Sequence, residues 1–157
     1  MSGLGHVLNE LPRYLAAHIE LSLLALAIAL AASLPLGVLA TRRPGLGAAA
    51  LGLASVLQTI PGLALLALMV PLLGGLGVAL GWAGLPAPPS IGFLPSLIAL
   101  SLYGVLPMLR YTVTGLDGVD PALVEAARGV GMSPWERLRL VELPLAMPTI
   151  VAVSYTH

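Results

Sequence analysis

A chain of 157 residues that is 58% hydrophobic and only 9% charged lacks the polar surface of a water-soluble fold, in which roughly a quarter of residues are charged; lipid is the solvent that suits it. Its formal net charge is zero and it has no cysteine, which excludes a basic nucleic-acid-binding surface, disulfides, Cys-ligated zinc and Cys nucleophiles. All seven basic residues are arginine, and their placement carries the topology.

Residues 1–18 are mixed, with Glu10, Arg13 and His18. They lack the basic start, short apolar core and small-residue cleavage site of a secretory signal, so the first apolar run is expected to be retained as a span. Residues 19–40 hold one charge, Glu20, at the outer edge. About 20 apolar residues cross the hydrocarbon core as a helix, which predicts a first span ended by Thr41-Arg42-Arg43-Pro44. An uncharged region follows from Leu46 to about Leu85, interrupted by Gln58-Thr59-Ile60-Pro61-Gly62, where proline removes a backbone donor. The pattern predicts a second span over 46–74, broken near 58–62, that exits at Gly74-Gly75. A Gly- and Pro-rich external loop to Pro89 would come next, with a short interfacial helix around Trp82. A third span is predicted over 91–109, closed by Arg110.

With three crossings, Arg42, Arg43, Arg110, Arg128, Arg137 and Arg139 share one side and only Arg13 lies on the other. That bias marks the arginine-rich side as cytoplasmic and puts the N-terminus outside. Most of the charge lies beyond Arg110. Asp120 reads as an N-cap with Pro121 at the first helical position. Leu123, Ala126 or Ala127, and Val130 fall on one helical face, and Glu125 and Arg128 are spaced to interact. Gly131 is placed to end that helix in a left-handed turn. Ser133-Pro134-Trp135-Glu136 reads as a capping box that starts a second helix, ended by Leu143-Pro144. The segment 120–144 is thus a cytoplasmic helix–turn–helix, with a further span beginning over 145–157.

Gln58 and Thr59 are polar groups at membrane depth beside Pro61. Such interruptions line cavities, or pack between helices with local hydrogen bonds, and both readings stand; Tyr103 is open to the same two. Arg110 reads as an interfacial anchor. His6, His18 and His157 have no metal-ligand spacing. A nucleophile–base pair or His-Glu-x-x-His run at membrane depth is missing, and Gly74-Gly75-Leu76-Gly77 is not followed by Lys-Ser/Thr, so it is not a phosphate loop. No enzymatic activity, ATP hydrolysis included, and no cofactor is expected of this chain.

The run Glu125-Ala126-Ala127, three residues, Gly131, nine residues, Val141, one residue, Leu143-Pro144 resembles the EAA loop of bacterial and archaeal ABC importer permeases, with Val141 in place of isoleucine. Val56–Ala67, with Gln58, Thr59 and Pro61, Tyr103–Arg110, Val119-Asp120-Pro121 and Pro35-Leu36-Gly37 are similar to the glycine betaine, choline and osmoprotectant branch. The resemblance covers roughly residues 15–150. It implies an all-α, polytopic transmembrane bundle of the MetI-like permease type in the cytoplasmic membrane. In the family, Glu125, Ala126, Ala127, Gly131, Leu143 and Pro144 would belong to coupling helices seated in a cleft of an ABC ATPase, whose closure is transmitted to the membrane helices. A second permease subunit, identical or not, and an extracytoplasmic substrate-binding protein complete such a system. Gln58, Thr59, Pro61 and Tyr103 are the candidates for its translocation path. With 4% aromatic residues the chain is poorly equipped to cage a quaternary ammonium ion, so selectivity is expected mainly in the binding protein. Family members continue through further membrane helices after Leu143-Pro144, whereas Ser154-Tyr155-Thr156-His157 does not look like that continuation; the chain reads as truncated. The alternatives are a permease for another small solute, such as an amino acid, or a non-transport membrane scaffold.

Overall fold

The structure, a computed structural model, describes the backbone of residues 2–156 and the side chains of residues 7–152. Met1 and His157 lie outside the described residues, as do the side chains of His6 and of the closing Ser154-Tyr155-Thr156. Among the described residues there is no strand. The helices are α1 (Ser2–Arg42), α2 (Pro44–Thr59), α3 (Gly62–Trp82), α4 (Phe93–Asp117), α5 (Pro121–Gly129), α6 (Pro134–Arg137) and α7 (Leu143–Thr156), with a π turn over Leu138–Glu142 joining α6 to α7.

Among the described residues, three segments are long and apolar enough to cross a membrane: Val7–Arg42, Gly62–Trp82 and Phe93–Asp117. The predicted first span, 19–40, is the later part of α1. The helix begins well before it, since Leu, Val and Ala are frequent among residues 1–18, and it runs through Pro12. At 1.5 Å per residue, Val7–Arg42 is about 54 Å long, well beyond the roughly 30 Å hydrocarbon core. One side of α1 carries Ala25, Ala29, Ser33, Gly37 and Ala40, all buried, a stripe of small residues that lets a neighbouring helix backbone approach closely.

Two spans differ from expectation. Helix α3 does not exit at Gly74-Gly75 but runs through both glycines to Trp82. Two glycines cost about 1 kcal/mol each in a helix, less than leaving backbone groups unsatisfied in lipid. The helix stops where Gly84 adopts φ 72°, with Leu85 N–H bonded to Leu80 C=O and Gly84 N–H to Gly81 C=O, a left-handed C-terminal turn. No separate helix forms around Trp82, which is the last residue of α3. Helix α4 passes Arg110 and runs through Gly115 to Asp117, next to Gly118.

The chain divides into two units. The first holds α1 through Ala29 together with Ile60–Gly104. Its core is Leu65, Met69 and Leu73, one turn apart on α3, with Ala99 of α4. The predicted break is present at Ile60-Pro61, between α2 and α3. The Tyr103 hydroxyl donates to the Ile60 carbonyl, so an acceptor left over at the helix break is satisfied from α4.

The second unit holds Leu30–Thr59 and the chain from Val105 onward. Leu116 and Val119 meet Ala146 and Ile150 of α7, flanked by Leu34, Val38, Val124, Leu138 and Leu143. Thr112 is fully buried and donates to Met108 C=O at 2.7 Å. Arg110 Nη2 donates to Ser55 Oγ of α2 at 2.8 Å.

Leu143-Pro144 does not end a helix, contrary to the sequence reading. The path from Pro134 through the π turn to Thr156 is continuous. Pro144 cannot donate to Leu140, and its ring would press on that carbonyl in a regular helix. The π turn widens the helix just upstream, with Leu143 N–H bonded to Leu138 C=O, and so admits the proline.

Candidate functional site

The charged segment between α4 and α7 is shaped by short-range bonds. Asp120 accepts from Ala122 N–H at 2.8 Å, with Pro121 at the first position of α5. Asp120→Ala is expected to cost about 1 kcal/mol, seen as a lower unfolding midpoint in detergent. At the other end of α5, Met132 N–H bonds Ala127 C=O at 3.1 Å and Gly131 N–H bonds Arg128 C=O at 3.0 Å. This pair of bonds requires a left-handed residue at Gly131, whose φ is 82°. Two residues on, Ser133 N–H donates to Glu136 Oε2 at 2.9 Å and Ser133 Oγ accepts from Glu136 N–H at 3.3 Å. This capping box starts α6. The Ser133 hydroxyl, and secondly its backbone N–H, hold the exposed Glu136 carboxyl below its ordinary value of 4.5.

The six predicted loop residues divide by role. Gly131 makes the turn, and Glu125 is exposed on α5. Ala126, Ala127 and Pro144 border an open apolar groove of about 500 Å3, with Val130, Leu140 and Leu145 among its other walls. Leu143 faces the other way, against the core of Leu116, Val119, Ala146 and Ile150. The loop therefore offers an exposed acid beside a small-residue face and a concave apolar surface, a shape suited to docking against another protein.

The four candidate path residues fall in both units, Gln58 and Thr59 in the second and Pro61 and Tyr103 in the first. Gln58 and Thr59 are exposed at the end of α2, where Thr59 Oγ1 donates to Val56 C=O at 2.7 Å. Pro61 is the N-cap of α3. Tyr103 borders a cleft of about 580 Å3 in the first unit, whose walls include His18, Leu63, Leu66 and Ser96.

Sequence reasoning passed over one cluster. Glu142, in the π turn and 6% exposed, accepts from Arg137 Nε at 2.7 Å through one oxygen and from Arg42 Nη2 through the other. A signal was available: Glu142 is the last acid in the chain and sits against an apolar run, where a carboxylate needs a partner. Among the described residues, no group of three or more His, Asp or Glu is arranged to hold a metal ion.

The sequence pattern of binding-protein-dependent transport system inner membrane components matches residues 33–155. Similar proteins include a glycine betaine/carnitine/choline transport system permease protein of Bacillus subtilis, 41% identical over 86% of this chain and 55% of the relative. A choline transport system permease protein of the same organism is 42% identical over 86% of this chain and 55% of its own length. An osmoprotectant import permease protein of Salmonella typhimurium is 44% identical over 85% of this chain and 57% of the relative. The chain spans about half the length of the curated relatives it matches.

Proposed function

Because the chain belongs to the family of binding-protein-dependent transport system inner membrane components, we propose that it forms membrane-spanning structure of an ATP-driven importer for glycine betaine, choline or a related quaternary ammonium osmoprotectant. The observation that carries this reading is the loop after α4. Its EAA residues lie on a helix whose start, end and reversal are each fixed by hydrogen bonds, beside an open apolar groove. Such a loop is pre-organised to seat in an ATPase subunit, with Glu125, Ala126, Ala127 and Gly131 at the contact and Leu143 and Pro144 joining it to α7. The solute assignment is supported by the names of the relatives.

In this reading the chain pairs with a second permease subunit in the cytoplasmic membrane and receives solute from an extracytoplasmic binding protein. ATP is hydrolysed in the separate ATPase. The arginine distribution supports a cytoplasmic position for the loop and an external N-terminus. Gln58, Thr59, Pro61 and Tyr103, around the break between α2 and α3, are assigned to the translocation path, where irregular backbone has a place if it faces a cavity.

The test is recovery of the ATPase with the tagged permease. Gly131→Val puts a β-branched residue at a left-handed position and Glu125→Lys reverses the exposed charge; each is expected to reduce recovered ATPase at least tenfold. Wild-type recovery with both variants would sink the docking assignment. Uptake of labelled glycine betaine and choline, against proline as control, tests the solute.

A further inference from the structure

Glu142 joins two elements that are far apart in the chain. Its Oε1 takes the Nε of Arg137, the last residue of α6, and its Oε2 takes Nη2 of Arg42, the last residue of α1, 100 positions away. Arg137 and Glu142 are nearly inaccessible, and the side chain of Arg42 is 40% exposed.

The backbone explains why the contact exists. Arg137 and Glu142 are five residues apart. On a regular α-helix that spacing separates side chains by about 140° around the axis. In a π turn, bonded i to i+5, each residue turns through a smaller angle and residues five apart come nearer to one face, and Leu138–Glu142 is such a turn. Closing it to a regular helix would swing Glu142 away from Arg137 and withdraw it from Arg42. The buried pair and the tie to α1 therefore both depend on the π turn.

Resting on the docking role proposed above, we infer that Glu142 is a positioning residue that carries movement of the α5–α6 loop to α1. The loop is held to Glu142 through Arg137, and Glu142 holds the end of α1 through Arg42. A push on the loop therefore displaces the part of α1 that belongs to the same unit, residues 30–42. Arg42 takes part through a single nitrogen, which a lysine ammonium can replace.

The test uses the assembled importer, with permeases, ATPases and binding protein, in proteoliposomes. Arg42→Gln cuts the tie to α1 and leaves the buried Arg137–Glu142 pair in place, so the variant is expected to assemble and to recover ATPase normally. The ATP hydrolysed per solute imported should rise at least tenfold, and Arg42→Lys should stay within twofold of wild type. Spin labels at the exposed Arg43 and Arg139 should keep a constant separation through the ATP cycle in wild type and lose it in Arg42→Gln. A wild-type ATP-to-solute ratio in an intact Arg42→Gln complex would overturn this inference alone. An unmutated permease that recovers no ATPase would overturn the docking reading, and this inference with it.

Discussion

Glu142→Ala is expected to lower the unfolding free energy by about 3–5 kcal/mol, the usual cost of removing one partner from a buried ion pair. The substitution leaves Arg137, a residue only 8% exposed, without its carboxylate partner and takes away the carboxylate that the Arg42 side chain also uses. A neutralised carboxyl is not enough either: Glu142→Gln keeps the shape and one acceptor but leaves two cations facing an amide. The fluorescence of Trp135, two residues from Arg137, reports the transition in detergent. Removing all three charges together, with Arg42→Met, Arg137→Met and Glu142→Leu, should recover most of the loss, because no charge is then buried without a partner. The three effects should therefore be strongly non-additive. A Glu142→Ala protein that unfolds at the wild-type midpoint would mean that the carboxylate does not hold the buried cation.

Gly37→Ala is expected to cost roughly 1–3 kcal/mol, the range for overpacking a filled interior. A Cβ at Gly37 would lie 2.7 Å from Thr112 Cβ and closer still to its Cγ2. Thr112 is fully buried and its hydroxyl is held by Met108 C=O, so the side chain has nowhere to turn and α1 must move off α4. Thr112→Ala in the same protein should restore only part of the stability, since the Thr112 Cβ remains. Full recovery would show that only the outer atoms of the threonine are in the way. Gly37→Leu should prevent stable accumulation in the membrane, measured by immunoblot of the tagged protein.

What was legible in the sequence was mostly local. Asp120, Gly131 and the Ser133–Glu136 box each act on backbone groups a few residues away, so their chemistry can be read from spacing alone. The break at Pro61 is legible for the same reason. Gly74-Gly75 misled because glycine is a weak breaker, and Leu143-Pro144 because a π turn accommodates the proline. In lipid a helix has no water to bond its open groups, and it continues through glycine; before a proline it can widen by one residue instead of stopping. The family and its loop were readable from the EAA spacing, while the cluster on Glu142 was not singled out. Its two arginines were read only for the side of the membrane they mark, and the pairing with Arg42 spans 100 positions. The small-residue stripe on α1 was visible at a spacing of three or four, but only the packing shows that Gly37 is the position with no room at all.

The short reach of the bonds around Gly131 also sets an order of events in time. Every hydrogen bond that caps α5, reverses the chain and starts α6 joins residues no more than five positions apart, as in Met132 to Ala127. At a synthesis rate of about 5–20 residues per second, these bonds can close as soon as the segment leaves the ribosome. The tie from Glu142 to Arg42 forms only once the segment reaches a helix made 100 positions earlier. The nascent chain thus acquires the form of its partner-facing surface first and fastens that surface to the membrane helices last.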